Sequence, residues 1–238
     1  MNDFYDEELG NVLIKKHGRA KRVLARRMNN HVQLTVPSKM PKDEILIIFQ
    51  RLKPKILAAP QLKIIKVDEN SSFRTSTFSV SITRHPISRT NIKMTLDKGV
   101  LTINVPPHFD IYKENIQQII REMIVTALRH EAKRVLPQKV LSYAKKFNLT
   151  VREVKINNSK HRWGSCTGRK NINLSLFLLM LPEELIEYVI LHELAHTIEL
   201  NHSVRFWEVL NKMYGRNIDD LDKKVTYWNS DYITFLKQ

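Results

Sequence analysis

The first hundred residues are dominated by an alternation of apolar and polar positions, the pattern of strands that bury one face. HVQLTV (31–36) and FSVSI (78–82) follow it, and NIKMTL and VLTINV flank the DKG turn (97–99) as the arms of a hairpin would. The alternation is interrupted after Pro41, where this proline and the acidic Asp43 and Glu44 predict a helix from about 42 to 53 that Pro54 ends or kinks. The N-terminal part is therefore predicted to be mainly sheet.

Further along the chain the apolar positions recur every three to four residues. This spacing over ENIQQIIREMIVTALRHEAKRVL predicts a long amphipathic helix, which Pro137 interrupts before a second helical stretch to about Phe147. VREVKI, HRWGSCT and NINLSL then predict three strands. A helix follows Pro182 and is expected to run to about Leu200, with Asn201 as a left-handed stop and a serine that caps the next helix.

These elements predict an α+β protein in two parts. Residues 1–110 form a β-rich region with one helix, and residues 111–238 form a domain that combines helices with a small sheet.

The composition is that of an ordinary globular protein, with 42% hydrophobic and 26% charged residues. The formal charge of +15 favours attraction to polyanions, among them nucleic acids and nucleotides. The single cysteine, Cys166, cannot form an intramolecular disulfide and is interpreted as a small buried hydrophobe. Because the N-terminal residues lack the features of a signal peptide and no apolar stretch is long enough to span a membrane, we expect a cytoplasmic protein without transmembrane helices.

The candidate chemistry lies in HELAHTIELNH (192–202), which follows an apolar helical run. His192 and His196 are four residues apart and therefore share one face of a helix. Glu193 lies beside the first of them. In this H-E-x-x-H arrangement the two imidazoles bind zinc and the glutamate acts as general base, although buried histidines can also serve only to satisfy backbone carbonyls. The apolar flanks and the third histidine beyond them favour the metal interpretation.

A catalytic zinc site has three protein ligands, so a third donor is needed. His202 lies just beyond the predicted helix end, where the chain can fold back toward the ion. Glu199 is the rival, but it follows His196 by three residues on the same helix and points less easily at the ion. The sequence therefore favours His202, which gives the spacing H-E-x-x-H-x5-H.

A family resemblance is carried by the stretch from HRWGSC (161–166) through HELAH to NHSVRFW (201–207). These motifs resemble the YgjP-like metallopeptidases, relatives of the SprT-like and WLM-type zincins, and the basic N-terminal sheet that ends in LTVP resembles that family too. Residues 61–106 depart from the family pattern, because they are longer than its usual N-terminal strands.

The resemblance implies a minimal zincin, with the HExxH helix packed under a small sheet. It implies zinc bound by the three histidines named above and Glu193 as general base. By the same resemblance, the strand around WGSC would be the edge to which an extended substrate adds itself, so Arg162, Trp163, Gly164 and Ser165 are candidate substrate-binding residues. A tryptophan beside small residues is also typical of a core.

Three functions are compatible with these features. The first is a zinc-dependent peptidase. The second is a nucleoside triphosphate pyrophosphatase of the YgjP type, with a nucleotide as substrate; no acidic cluster that would hold phosphate-bound magnesium is evident in the sequence. The third is a nucleic-acid-associated zinc protein that binds through KKHGRAKRVLARR (15–27). For the transition-state donor, the sequence leaves His161, Arg162, Tyr188 and Arg205 open.

Overall fold

The structure is a computed structural model that describes residues 3–27, 31–58, 66–86, 91–215, 218–228, 233 and 235–236. The chain divides into two compact units, residues 1–64 and 65–238. The sequence placed the boundary at 110/111 instead. The difference arises because the strands before residue 106 contribute buried side chains, such as Phe73 and Ile103, to the same core as the long helix that follows them.

The described residues of the first unit form one four-stranded sheet and one helix. The strands, in the order β1-β2-β4-β3 across the sheet, are β1 (Phe4–Asp6), β2 (Gly10–His17), β3 (Leu24–Arg27) and β4 (His31–Pro37). The β2–β4 pair is parallel, whereas β1 and β3 run antiparallel to their neighbours. The alternation in HVQLTV is confirmed, since every second residue of β4 is buried.

The helix of this unit, α1 (Lys42–Ala58), continues through Pro54. The predicted end at residue 53 is therefore wrong. Ile56 lies beyond the proline and is buried in the same core as Ile45 and Phe49, which outweighs the loss of one helical hydrogen bond. Packing of α1 against one face of the sheet encloses this core.

The second unit has a four-stranded and a three-stranded sheet with helices. The first sheet has the order β5-β6-β8-β7, with β5 (Phe73–Arg74), β6 (Ser79–Thr83), β7 (Lys93–Asp97) and β8 (Val100–Asn104). The predicted hairpin is confirmed: Lys98 and Gly99 both have positive φ, as a two-residue hairpin turn that follows the sheet twist requires. The second sheet has the order β10-β11-β9, with β9 (Glu153–Asn157), β10 (Gly164–Cys166) and β11 (Asn171–Ser175).

The helices of the second unit share one hydrophobic core with both of its sheets. They are α2 (Glu114–Lys146), α3 (Glu183–Ala195), α4 (Val204–Tyr214) and α5 (Asp219–Tyr227), with a 3-10 turn at Leu176–Met180. The predicted interruption of α2 at Pro137 is wrong, because Leu136 and Val140 are both fully buried and hold the helix on either side. None of the helices in the described ranges combines the length and apolarity that crossing a membrane requires.

The helix α3 ends earlier than the sequence predicted. It stops at Ala195 with His196 as its C-cap, and the next amides bond three residues back, Thr197 N–H to the Leu194 carbonyl and Ile198 N–H to the Ala195 carbonyl. Asn201 is not left-handed, since the non-glycine residues with positive φ in the described ranges lie elsewhere. The predicted cap of α4 is confirmed, because the Ser203 hydroxyl accepts the Phe206 amide. The mixed α+β class is as predicted.

Candidate metal centre

Three histidines converge at the end of α3. His192 and His196 lie one turn apart on the helix, and His202 returns from the following loop, so that one ring nitrogen of each lies within 4.8 Å of the others. The Nε2 atoms of His192 and His202 are 3.0 Å apart. Burial and the neighbouring imidazoles lower the pKa of His192 to about 3, which keeps its ring neutral with a free lone pair. Neutral imidazole is the form that binds metal ions.

The early end of α3 orients the second histidine. Nδ1 of His196 lies 3.0 Å from the backbone carbonyl oxygen of Glu199 and donates to it, which leaves Nε2 as the acceptor nitrogen. A carbonyl partner of this kind is the usual outer contact of a metal-binding histidine. The Glu199 carboxylate does not belong to the group of converging ligand atoms. Glu199 thus contributes its backbone, a contact that the sequence did not predict.

An aromatic ring supports all three imidazoles from one side. Phe206 of α4 is fully buried, stacks on His196 with ring centroids 4.5 Å apart, and meets His192 and His202 edge-on at 4.9 and 4.7 Å. Trp207 lies beside His202 with ring centroids 5.9 Å apart. These rings restrict the rotamers of the histidines. In the sequence, the stretch that contains Phe206 and Trp207 indicated a helix and the family resemblance, but it predicted no role for either ring at the site.

The carboxylate of Glu193 is buried next to this group. The residue is 6% exposed, and within the described part of the chain its Oε2 atom has no hydrogen-bond partner. Burial raises the pKa of Glu193 to about 8. An unpartnered buried carboxylate oxygen is costly, and its presence beside three converging imidazoles is typical of a functional site.

Close approach of β10 to α3 is possible because residue 164 is a glycine. A Cβ atom added to Gly164 would lie 2.6 Å from Oε1 and 2.7 Å from Cγ of Glu193. Real contacts of this kind are essentially never so short, so any larger residue must displace the carboxylate or the strand. Gly164 was predicted to bind substrate, and the structure places it against Glu193.

We expect Gly164→Ala to lower peptide hydrolysis by about 100-fold, because displacement of a catalytic group by about 1 Å has an effect of that size. Bound metal should change little, since the three atoms nearest to the added Cβ all belong to Glu193. The thermal unfolding temperature should fall, because overpacking of such a contact costs about 1–3 kcal/mol. Steady-state kinetics, elemental analysis and thermal unfolding of the purified variant measure these three quantities.

Gly168→Ala, in the turn between β10 and β11, is the matched control for this substitution. Its added Cβ would meet Leu200 Cδ1 at an ordinary 3.6 Å, so activity should remain near that of the wild type. Equal loss of activity in both variants would contradict the role of Gly164.

The structure separates the other candidate substrate residues. Arg162 and Ser165 line a polar cavity of about 360 Å³, together with Asn157, Ser159, His161, Gly164, Asn173 and Ser175. In the ladder Ser165 pairs with Asn173, and Gly164 with the buried Leu174. Successive side chains of a strand point to opposite faces, so this cavity lies on the face of the sheet away from Glu193.

Trp163 contacts the C-terminal part of the unit. Its indole N–H donates to the Val225 carbonyl of α5 at 3.2 Å, and its ring packs against the main core.

Tyr188 and Cys166 are both engaged or protonated. Tyr188, a candidate donor to the transition state, is 1% exposed, and its hydroxyl already donates to Asp222 at 2.9 Å. Cys166 is half-buried, and burial, with the nearby Glu193 charge, raises its thiol pKa to about 11. The thiol is therefore protonated at neutral pH.

Comparison with known proteins decides the family. The family model for the YgjP-like metallopeptidase domain matches residues 21–222, which is most of the chain. The chain belongs to the YgjP-like family. As a YgjP-like metallopeptidase it is a hydrolase that uses a metal ion and acts on peptides. No curated protein sequence matches it.

Two solved structures are similar to part of this YgjP-like chain. The metallopeptidase zymogen of Pyrococcus abyssi abylysin is 21% identical, with a TM-score of 0.35 over 38% of this chain and 91% of that one. The metallopeptidase zymogen of Methanocaldococcus jannaschii jannalysin is 25% identical, with a TM-score of 0.34 over 37% of this chain and 91% of that one. The family assignment rests on the family model alone.

Proposed function

We propose that the chain is a zinc-dependent peptidase in which His192, His196 and His202 hold the metal and Glu193 is the general base. The observation that carries this proposal is the convergence of three ligand nitrogens within 4.8 Å beside a buried carboxylate oxygen that has no partner in the described part of the chain. The spacing H-E-x-x-H-x5-H is the sequence form of the same site.

The donor set fits zinc. Three imidazole ligands with an open fourth position are typical of catalytic zinc, and the described residues bring no thiolate or carboxylate into the group of ligand atoms. The chemistry that the bound metal supplies is polarisation of the scissile carbonyl and a lower pKa for the attacking water. The charge of the bound metal would lower the pKa of Glu193 below the value of about 8 that burial alone gives, so that its carboxylate would accept the proton of that water and pass it to the leaving amine. The burial of Glu193 excludes bulk solvent as a competing proton acceptor.

Strand β10 offers an edge for an extended peptide. It pairs with β11 on one side, and no described strand pairs with its other side. A peptide that adds to this edge gains main-chain hydrogen bonds irrespective of its sequence. Because Gly164 of β10 lies directly against Glu193, a peptide on this edge would bring its backbone toward the general base.

Apolar side chains near the third histidine also favour a peptide over a nucleotide. Ile198, Leu200 and Val204 are 44%, 54% and 76% exposed and lie within four residues of His202. Apolar side chains of a peptide can cover them, whereas triphosphates need cations or magnesium. Among the residues that the structure describes, the three histidines are the only close group of three or more metal-binding side chains, so no observation favours the pyrophosphatase.

Removal of the metal tests this proposal. We expect 1,10-phenanthroline to abolish cleavage of an unfolded protein such as β-casein, and about one equivalent of zinc per chain to restore it. Fragments separated by electrophoresis and mass spectrometry measure the cleavage. ATP serves as the competing substrate in the same assay, and its hydrolysis should stay at the background rate. Metal-dependent ATP hydrolysis without peptide cleavage would replace this proposal with the pyrophosphatase.

A further inference from the structure

The sheet of the N-terminal unit has one face that its helix does not cover. Phe4 of β1 meets Phe49 of α1 with ring centroids 5.0 Å apart, and Val12, Val32 and Leu34 are buried in the same core. Side chains of a strand alternate between the two faces of its sheet, so the strand residues next to Phe4, Val12, Val32 and Leu34 point to the opposite face. Within this unit, no described element packs on that opposite face as α1 packs on the first.

The strand register identifies this open face, which carries Tyr5, Leu13, Lys15, Leu24, Arg26 and His31. Tyr5 of β1 and His31 of β4 lie in one row across the sheet, because each of them pairs with Asn11 of β2. Leu13 and Arg26 share the next row through Gln33, and Lys15 and Leu24 share a third through Thr35. Tyr5 is 71% exposed, and Lys15 and Arg26 are also exposed. The open face thus combines one exposed and one half-buried ring with aliphatic side chains and cations.

The charged residues that β2, β3 and β4 carry are all positive, and Asp3, which precedes β1, is the described carboxylate beside them; its Oδ1 atom accepts the Ile14 amide. Residues 9–42 contain nine lysines and arginines and no aspartate or glutamate. Two of the acidic residues of this unit, Asp6 and Glu8, are paired with Lys53 of α1. In the described ranges no carboxylate forms an ion pair with Lys15 or Arg26. A field of this kind attracts polyanions.

We propose that the open face binds single-stranded nucleic acid. Lys15 and Arg26 lie on strands two positions apart, about 10 Å across the sheet, and would contact phosphates. The rings of Tyr5, which is exposed, and His31, which is half-buried, lie in one row and would stack on bases. A flat sheet with aromatic and basic side chains fits unpaired bases, whereas a duplex keeps its bases stacked inside and offers them no ring partner. This binding is independent of the metal centre.

Fluorescence anisotropy of the full chain with a labelled oligodeoxythymidylate of about 20 nucleotides tests the proposal. We expect Lys15→Gln/Arg26→Gln to weaken binding at least about tenfold and to reduce the slope of log affinity against log salt by about 1.4, at about 0.7 per lost phosphate contact. Tyr5→Ala should weaken binding about fivefold or more at an unchanged salt slope, since stacking releases no counterions.

Lys145→Gln/Arg152→Gln is the matched control, because it removes the same two charges from exposed positions of the other unit. Its affinity should stay within about twofold of the wild type. Three results would overturn the proposal: no binding at about 50 mM salt, equal weakening by the control pair, or tighter binding to a duplex of the same length. Binding to vesicles with about 30% phosphatidylserine but not to the oligonucleotide would assign the face to a membrane surface. Thermal unfolding checks that each variant folds.

Discussion

Replacement of Glu193 by glutamine is expected to lower peptide hydrolysis by about 10²- to 10⁴-fold while the chain keeps its zinc. Glutamine has nearly the same shape, so the contact with Gly164 and the positions of the histidines should persist. The substitution removes the only group in the proposed mechanism that accepts the proton of the attacking water. Initial rates on β-casein together with elemental analysis of the purified variant measure both quantities.

The control is Glu208→Gln, which changes an exposed carboxylate of α4 outside the histidine group. Its activity should match that of the wild type. If Glu193→Gln retained activity with zinc bound, another group would have to be the base. If it lost both zinc and activity, the variant would report on folding or metal binding instead, and thermal unfolding would separate these two causes.

Replacement of His202 by alanine has the second large expected effect, which is loss of the metal. Mutation of a residue that contacts only the ligands of a metal lowers the metal affinity about 10- to 100-fold. Loss of a direct ligand should therefore lower the affinity by more than about 100-fold. The His202 ring nitrogen lies 3.0 Å from that of His192, which makes it the best third donor in the described chain. Competition titration of zinc against a chromogenic chelator measures the affinity.

Glu199→Ala is the contrasting variant, because Glu199 was the rival third ligand in the sequence. It removes the carboxylate but keeps the backbone carbonyl to which His196 donates. Zinc affinity should therefore remain close to that of the wild type. If Glu199→Ala lost zinc and His202→Ala kept it, the third ligand would be the carboxylate, and the loop would have to adopt a different path when the metal binds.

The candidate site was largely predictable from the sequence because its parts are close along the chain. Two histidines at helical spacing share a face in any helix, and a third histidine ten residues after the first can return to them. The contributions of Phe206 and of the Glu199 carbonyl were not predictable. Both depend on where α3 ends, and the turn from His196 to Glu199 is set by backbone hydrogen bonds that leave no signature in residue type.

Other errors have a shared physical origin. Propensity rules end helices at Pro54 and Pro137, but buried residues on both sides of each proline stabilise the helix by more than one lost hydrogen bond. The predicted boundary at 110/111 differs from that of the two compact units because packing again decides. Strands in which apolar and polar residues alternate occur in both units. Only the packing of the strands between residues 66 and 105 against α2 shows to which core they belong.

Position 164 has no conservative replacement. Every residue other than glycine carries the Cβ atom for which Glu193 leaves no room, so alanine, serine and valine differ only in how far they push the carboxylate. In a library of all substitutions, this unremarkable strand position should therefore be as intolerant as the general base itself. Relatives that carry any side chain there would need a wider gap between strand and helix, or would have lost the activity.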